Sequence, residues 1–278
     1  MKKILVPTDF SEQADYALEA ASQLARKYDS EIYLLHLLEL PEQLIDLNPT
    51  STGSNQVPEA IFFMRKAHEK FEKVKQKEIL NGIPVYETVI FKETFNGILE
   101  VGKKNDCDLI VMGSHGASGL KEVFIGSNTE KVVRNSDIPV LVIKEKTDIL
   151  NTNDLVFASD FVPNVKNSFV EATKFAEKIG AKIHLVYINT ANKFKTTEQL
   201  EKKMNKFLEG VDFKNYTLNV YNAESIEKGI LKFSAKMNAD LIGISTHGRK
   251  GLAHFLNGSI SEDLVNHAKT PVITFKIQ

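Results

Sequence analysis

The run Asp108-Leu-Ile-Val-Met112 leads into Gly113-Ser-His-Gly116 and, after nine intervening residues, Gly126-Ser127. A close copy returns 132 positions later as Asp240-Leu-Ile-Gly-Ile244, Ser245-Thr-His-Gly248 and Gly258-Ser259. The likeness continues elsewhere: Ile4-Leu-Val-Pro-Thr-Asp9-Phe10 aligns with Leu155-Val-Phe-Ala-Ser-Asp160-Phe161, and Ile32-Tyr-Leu-Leu-His36-Leu37 with Ile183-His-Leu-Val-Tyr187-Ile188, both at an offset of 151. Gly97-Ile-Leu99 matches Gly229-Ile-Leu231, and Pro139-Val140 matches Pro271-Val272, at 132. A chain that repeats itself over this span folds as two copies of one unit. The offsets differ by 19 residues, which places extra chain in the first copy between about 38 and 84. Residues 41–57, rich in Pro, Ser, Thr, Asn and Gly, read as a loop. The copies join between 144 and 153, which divides the chain into expected domains at 1–147 and 148–278.

Within each copy, strands alternate with helices. Short apolar runs at 3–7, 31–38, 85–91, 108–113 and 139–144 lack the alternation of a half-exposed strand, and they read as strands covered on both faces. The second copy repeats them at 154–159, 183–189, 216–222, 240–245 and 271–276. Residues 11–28 align Ala14, Ala17, Leu18, Ala21, Leu24 and Ala25 on one helical stripe, and 58–79 align Ile61, Met64, Ala67, Phe71 and Val74. Five strands alternating with helices imply an α/β class: two tandem doubly wound, Rossmann-like parallel sheets of five strands each. The last strands, Val140-Leu-Val-Ile143 and Val272-Ile-Thr-Phe275, are apolar edges that call for cover. The two copies are therefore expected to pack as a pseudo-dimer inside one chain.

Composition narrows the function. Lys and Arg are spread along a chain of net charge −1, which leaves no basic footprint for nucleic acid or an anionic membrane. Cys107 is the only cysteine, and no run approaches a membrane span, so a reducing, cytoplasmic setting is expected.

The glycine loop carries the chemistry. Open parallel sheets bind ligands beyond the carboxyl ends of their strands. The turns Pro7-Thr8-Asp9 and Gly113 to Gly116 both follow strand ends. Glycines at 113 and 116 admit close approach to the main chain. Gly126-Ser127 opens a helix whose free N–H groups attract a polyphosphate, with Ser127, Asn128 and Thr129 adding donors. A Walker loop is absent from both copies, and the Rossmann fingerprint would follow the first strand rather than the fourth. Ser127-Asn-Thr-Glu130, Ser259-Ile-Ser-Glu262 and Asp9 with Glu12 also read as capping boxes, a ligand-free role for the same residues.

This spacing, on a unit beginning Ile-Leu-Val-Pro-Thr-Asp-Phe-Ser, resembles the universal stress protein family in tandem form, and the first copy resembles its ATP-binding subgroup. The resemblance implies strand order 3-2-1-4-5, with Asp9 and Gly113 on either side of the switch point. It places Asp9 and Leu37 beside the adenosine and Met112 and Gly113 near the ribose, and it counts Pro7 and Thr8 among the nucleotide-binding residues. His115, Gly116, Gly126, Ser127, Asn128 and Thr129 would surround the phosphates. The second copy keeps Asp160, Ile188, His247, Gly248, Gly258 and Ser259 but carries Ser245 in place of the first glycine and Ala158 in place of proline, which implies a weaker site. ATP, with or without Mg2+, is the expected ligand, and edge pairing through the last strand is the implied dimer contact. An unidentified protein partner and a further homodimer stay open.

No catalytic set emerges. Ser114, His115 and Asp9 make a paper triad, but adjacent residues point apart and no nucleophile elbow surrounds Ser114. The remaining histidines show no metal-ligand spacing. Three functions stay in play, in this order: a stress-response regulator that binds an adenine nucleotide, a slow ATPase or other phosphate-bond hydrolase, and an interaction scaffold with vestigial pockets.

Overall fold

The computed structural model describes residues 1–38, 56–114, 126–246 and 264–277, with side chains from residue 60 onward in the second segment. The 41–57 loop lies almost wholly outside them, as do His115, Gly116, His247, Gly248, Gly258 and Ser259.

The first half runs β1 (Lys3–Pro7), α1 (Glu12–Tyr28), β2 (Glu31–Leu38), α2 (Gln56–Lys75), β3 (Val85–Phe91), α3 (Thr94–Lys104), β4 (Leu109–Gly113), α4 (Ser127–Asn135) and β5 (Val140–Ile143). The second runs β6 (Asp154–Ala158), α5 (Lys166–Ile179), β7 (Lys182–Thr190), α6 (Thr197–Leu208), β8 (Tyr216–Ala223), α7 (Ile226–Lys236), β9 (Leu241–Thr246) and β10 (Val272–Lys276). All ten expected strands are present. They form one sheet of ten strands, ordered β3-β2-β1-β4-β5-β10-β9-β6-β7-β8. Each half thus has the order 3-2-1-4-5.

Strand pairs are parallel within each half and antiparallel where β5 meets β10. Leu141 faces Ile273, flanked by Val142–Val272 and Val140–Thr274. Leu141 and Ile273 are equivalent residues of the two copies, so a pseudo-twofold axis passes between them. The edges that the sequence left apolar are each other's cover, with Val140 to Ile143 and Val272 to Phe275 buried. Gln23 of α1 ties the junction down, donating to the Thr147 carbonyl and accepting from the Ile149 N–H.

The repeat extends to polar detail. Asp108 Oδ2 accepts the N–H groups of Lys2 and Lys3, and Asp240 Oδ2 those of Asn153 and Asp154. Each aspartate fixes the start of the strand beside its own, which explains why it precedes the apolar run in both copies.

Helix α1 buries its predicted stripe completely; four of the six residues are alanine, which lets the helix lie close on the sheet. Ser11 caps it, accepting the Ala14 N–H, and Asp29 ends it in the left-handed region at φ 51°. The cap expected from Asp9 and Glu12 is therefore displaced by two residues. Helix α2 differs from expectation more. Ala67, Phe71 and Val74 are buried, but Ile61 is 51% exposed together with Phe62 and Phe63, because its early turns find no core to pack on among the described residues. The helix ends at Lys75, and a single 3-10 turn follows at Glu78–Leu80.

Candidate nucleotide-binding site

Strand β1 ends in a turn held by its own side chains. Phe10 adopts φ 65°, a costly left-handed conformation for a bulky residue. Three contacts hold it there. Thr8 Oγ1 accepts the Phe10 N–H at 3.0 Å, Asp9 Oδ1 accepts the Ser11 N–H at 3.0 Å, and the Phe10 ring packs on His36 and Phe71. His36 Nδ1 donates to the Thr8 carbonyl at 2.7 Å, which fixes the tautomer. Burial holds the His36 pKa below its ordinary value, against the pull of that carbonyl, so the ring stays neutral at physiological pH.

Strand β4 supplies the opposite wall. Ser114 N–H donates to the Ile143 carbonyl at 3.1 Å, and Gly126 N–H donates to the Ser114 carbonyl at 2.8 Å. Helix α4 then begins with Gly126 as its N-cap, and among the described residues no side chain caps it. The capping box expected from Ser127 and Glu130 does not form, because Ser127 is already the first helical residue. Thr129 turns inward instead: it is 4% exposed and donates to the Gly113 carbonyl at 3.0 Å. Among the described residues the N–H groups of the first turn of α4 are those a glycine-capped helix start leaves open, and Gly126 to Thr129 line the crevice.

Between these walls lies a cavity of about 220 Å³. Pro7, Thr8, Asp9, Leu37, Met112, Gly113, Gly126, Ser127, Asn128 and Thr129 all line it. Four lining residues were not anticipated: Ala14, His36, Thr94 and Ile98. His36 was legible only as a strand residue, and Thr94 and Ile98 enter from the first turns of α3.

Three glycines have packing roles. A Cβ on Gly113 would lie 2.8 Å from the Gln13 main chain, so the first turn of α1, rather than a ligand, requires glycine there. A Cβ on Gly97 would meet Leu37 Cδ2 at 1.9 Å, and one on Gly229 would meet Ile188 Cγ2 at 2.4 Å. The repeated Gly-Ile-Leu is thus the notch that seats Leu37 and Ile188.

The second half copies the turn. Ser159 Oγ accepts the Phe161 N–H at 2.9 Å, Asp160 Oδ1 accepts the Val162 N–H at 3.4 Å, and Phe161 sits at φ 57°. Ser245 is 1% exposed, its hydroxyl 2.6 Å from that of Ser168 in α5; it faces the helix packing rather than a ribose. Ile188 is buried, and Asp160 lines a different cavity.

The family model described as the universal stress protein family matches residues 1–144 and again 152–276. Universal stress protein MJ0577 of Methanocaldococcus jannaschii is 33% identical over 155 residues, covering 52% of this chain and 96% of that protein. Universal stress protein Slr1230 of Synechocystis is 22% identical over 293 residues, spanning 99% of this chain and 100% of that protein. The crystal structure of a universal stress protein from Archaeoglobus fulgidus shares the fold, with a TM-score of 0.73 at 23% identity, over 99% of this chain and 96% of its own. Matched once in each half, and with the fold of a solved member along its whole length, this chain belongs to the universal stress protein family.

Proposed function

We propose that the first half binds ATP or a related adenine nucleotide and that occupancy regulates a stress response through a protein partner. The glycine-capped start of α4, facing Asp9 across the β1/β4 switch point, carries this reading. The polyphosphate would lie against the N–H groups of Ser127, Asn128 and Thr129, where the helix dipole favours negative charge. Leu37, Met112 and Ile98 give the cavity an apolar side suited to a base, and Asp9 stands at its rim as an acceptor for an amino or hydroxyl group. Mg2+ would enter with the nucleotide, since among the described residues no group of three metal-ligating side chains gathers. No helix of the described residues is long and apolar enough to cross a membrane.

Bound nucleotide stabilises the conformation that holds it, and this shift is what a partner would read. Calorimetry on nucleotide-free protein tests the reading. ATP should bind in a single event, weakened about tenfold or more in Ser127→Asp, which sets a carboxylate against the phosphates. Absence of binding by ATP, ADP and AMP would remove the proposal.

A further inference from the structure

The ten-strand sheet ends in two outer strands, β3 and β8, which differ in character. β3 carries Glu87 near its middle, with Lys75 Nζ at 2.9 Å and His68 Nδ1 at 2.8 Å from the carboxylate oxygens. A charge set into an edge strand hinders pairing with another chain. β8, Tyr216-Thr-Leu-Asn-Val-Tyr-Asn-Ala223, has no charged residue along its 8 positions. Among the described residues no strand covers its outer side.

The inner side of β8 is firmly held. It runs parallel to β7 in unbroken register from Ile183–Tyr216 to Thr190–Ala223. Ile183 N–H donates to the Asn215 carbonyl, which fixes the alternation that follows. The main chains of Thr217, Asn219 and Tyr221 face β7, and those of Leu218, Val220 and Asn222 face away. Side chains reinforce the ladder. Asn219 Nδ2 donates to the Leu185 carbonyl at 3.3 Å and to Thr217 Oγ1 at 3.0 Å, and the Thr217 hydroxyl meets His184 Nδ1 at 2.8 Å. Asn189 Nδ2 donates to Asn222 Oδ1 at 3.1 Å, and Tyr221 packs on Phe233 of α7. Leu218 and Val220 lie on the opposite face from Tyr221 and are 37% and 42% exposed.

A fixed row of outward N–H and C=O groups is met by a strand rather than by a compact ligand. This row complements itself. In an antiparallel pair of β8 strands with Asn219 on the twofold axis, Leu218 stands opposite Val220 of the second copy, and Val220 opposite its Leu218. Each such pair exchanges both of its main-chain hydrogen bonds, because these are the residues whose groups point outward. The two apolar pairs lie side by side on one face and remove from water the large hydrophobic side chains that β8 leaves exposed. Thr217 stands opposite Tyr221 on the α7 face, and no like charges meet along the strand. Pairing with β3 of another copy would instead set Glu87 among these residues, which disfavours head-to-tail growth. We propose that two copies of this chain associate through their β8 edges, Leu218 against Val220, as a closed twofold dimer.

The test is sedimentation of the full-length protein over a concentration series, with amide exchange followed on the same samples. A monomer–dimer equilibrium is expected. As dimer forms, the Leu218 and Val220 amides should become protected to the level of Asn219 and Tyr221, which the β7 ladder protects at every concentration. Val220→Lys should weaken association about tenfold or more, since it sets a solvated cation against Leu218 on a guarded edge. Leu218→Pro removes an outward N–H while sparing the β7 ladder, and should weaken association likewise. Tyr86→Lys, on the β3 edge, should dimerise as the unsubstituted protein does. A chain that stays monomeric throughout would leave this edge to a strand of another protein and overturn the proposal. So would a dimer that Val220→Lys does not weaken, or growth beyond the dimer that Tyr86→Lys arrests, the mark of β8 joined to β3.

Discussion

Thr129 and Gly113 are joined across sixteen residues by a buried hydrogen bond, the threonine hydroxyl donating to the glycine carbonyl at 3.0 Å. This bond connects the end of β4 to the first turn of α4 and so sets the width of the crevice between them. Thr129→Val preserves shape but leaves the carbonyl unpaired, at a cost of about 1–3 kcal/mol. Urea unfolding should show this loss, and Thr129→Ser should recover most of it. Nucleotide affinity should fall in the valine variant, because the first turn of α4 would no longer be held against the strand.

Gly113 and Ser245 occupy equivalent positions with opposite requirements. The first packs under the Gln13 main chain with no room for a Cβ; the second makes a hydroxyl contact with Ser168. Gly113→Ala should therefore destabilise ligand-free protein by about 1–3 kcal/mol through overpacking. Were the glycine needed only for a ligand, thermal unfolding without nucleotide would leave the variant unchanged and only binding would suffer.

These two positions show where sequence reading succeeds and where it stops. The strands were legible because parallel strands buried on both faces are continuous apolar runs, as in Ile4-Leu-Val6 and Leu109-Ile-Val-Met112. The pairing of β5 with β10 was legible because an apolar last strand demands cover. Roles within the site were less so. Gly113 suits a ligand and a crossing helix equally well in one dimension, and only the proximity of Gln13 separates them. Ser127 and Glu130 fit a capping box by spacing, yet Gly126 in extended conformation starts the helix one residue earlier. His36 looked like any strand residue until its partner, the Thr8 carbonyl, came from a neighbouring strand end. Ile61 kept the helical period but lay beyond the core that the period presumes.

Lys144, at the end of β5, donates to the Asn266 carbonyl of the other half. Burial lowers its pKa from 10.5 to about 8, with Glu145 opposing the shift. Folded protein therefore releases this proton before unfolded protein does, and between pH 8 and 10.5 the unfolded state binds more protons. The cost of burying the charge is fully present below pH 8 and is relieved as pH rises through that window. Relative to Lys144→Gln, the unsubstituted protein should gain stability from pH 8 to 10.5 and show a constant difference below pH 8. Urea unfolding of both proteins at stepped pH checks the sign; a difference that stays flat across the window would show that the ammonium is not desolvated.

The pairing of Leu141 with Ile273 about a pseudo-twofold axis has a direct consequence for the separated halves. In the intact chain β5 and β10 run antiparallel, with equivalent residues at the centre of the pair. An isolated residue 1–147 fragment would present an unpaired apolar edge, and a second copy would offer the same edge in the same geometry. Antiparallel pairing of β5 with β5, Leu141 opposite Leu141, regenerates a closed twofold contact. Sedimentation should find this fragment as a dimer, and Leu141→Lys should shift it toward monomer by placing like charges opposite each other. Adding residues 148–278 should draw both fragments into a one-to-one complex, since β10 supplies the native register. A fragment that stays monomeric and soluble without the substitution would mean that cover of the β5 edge is not what holds the halves together.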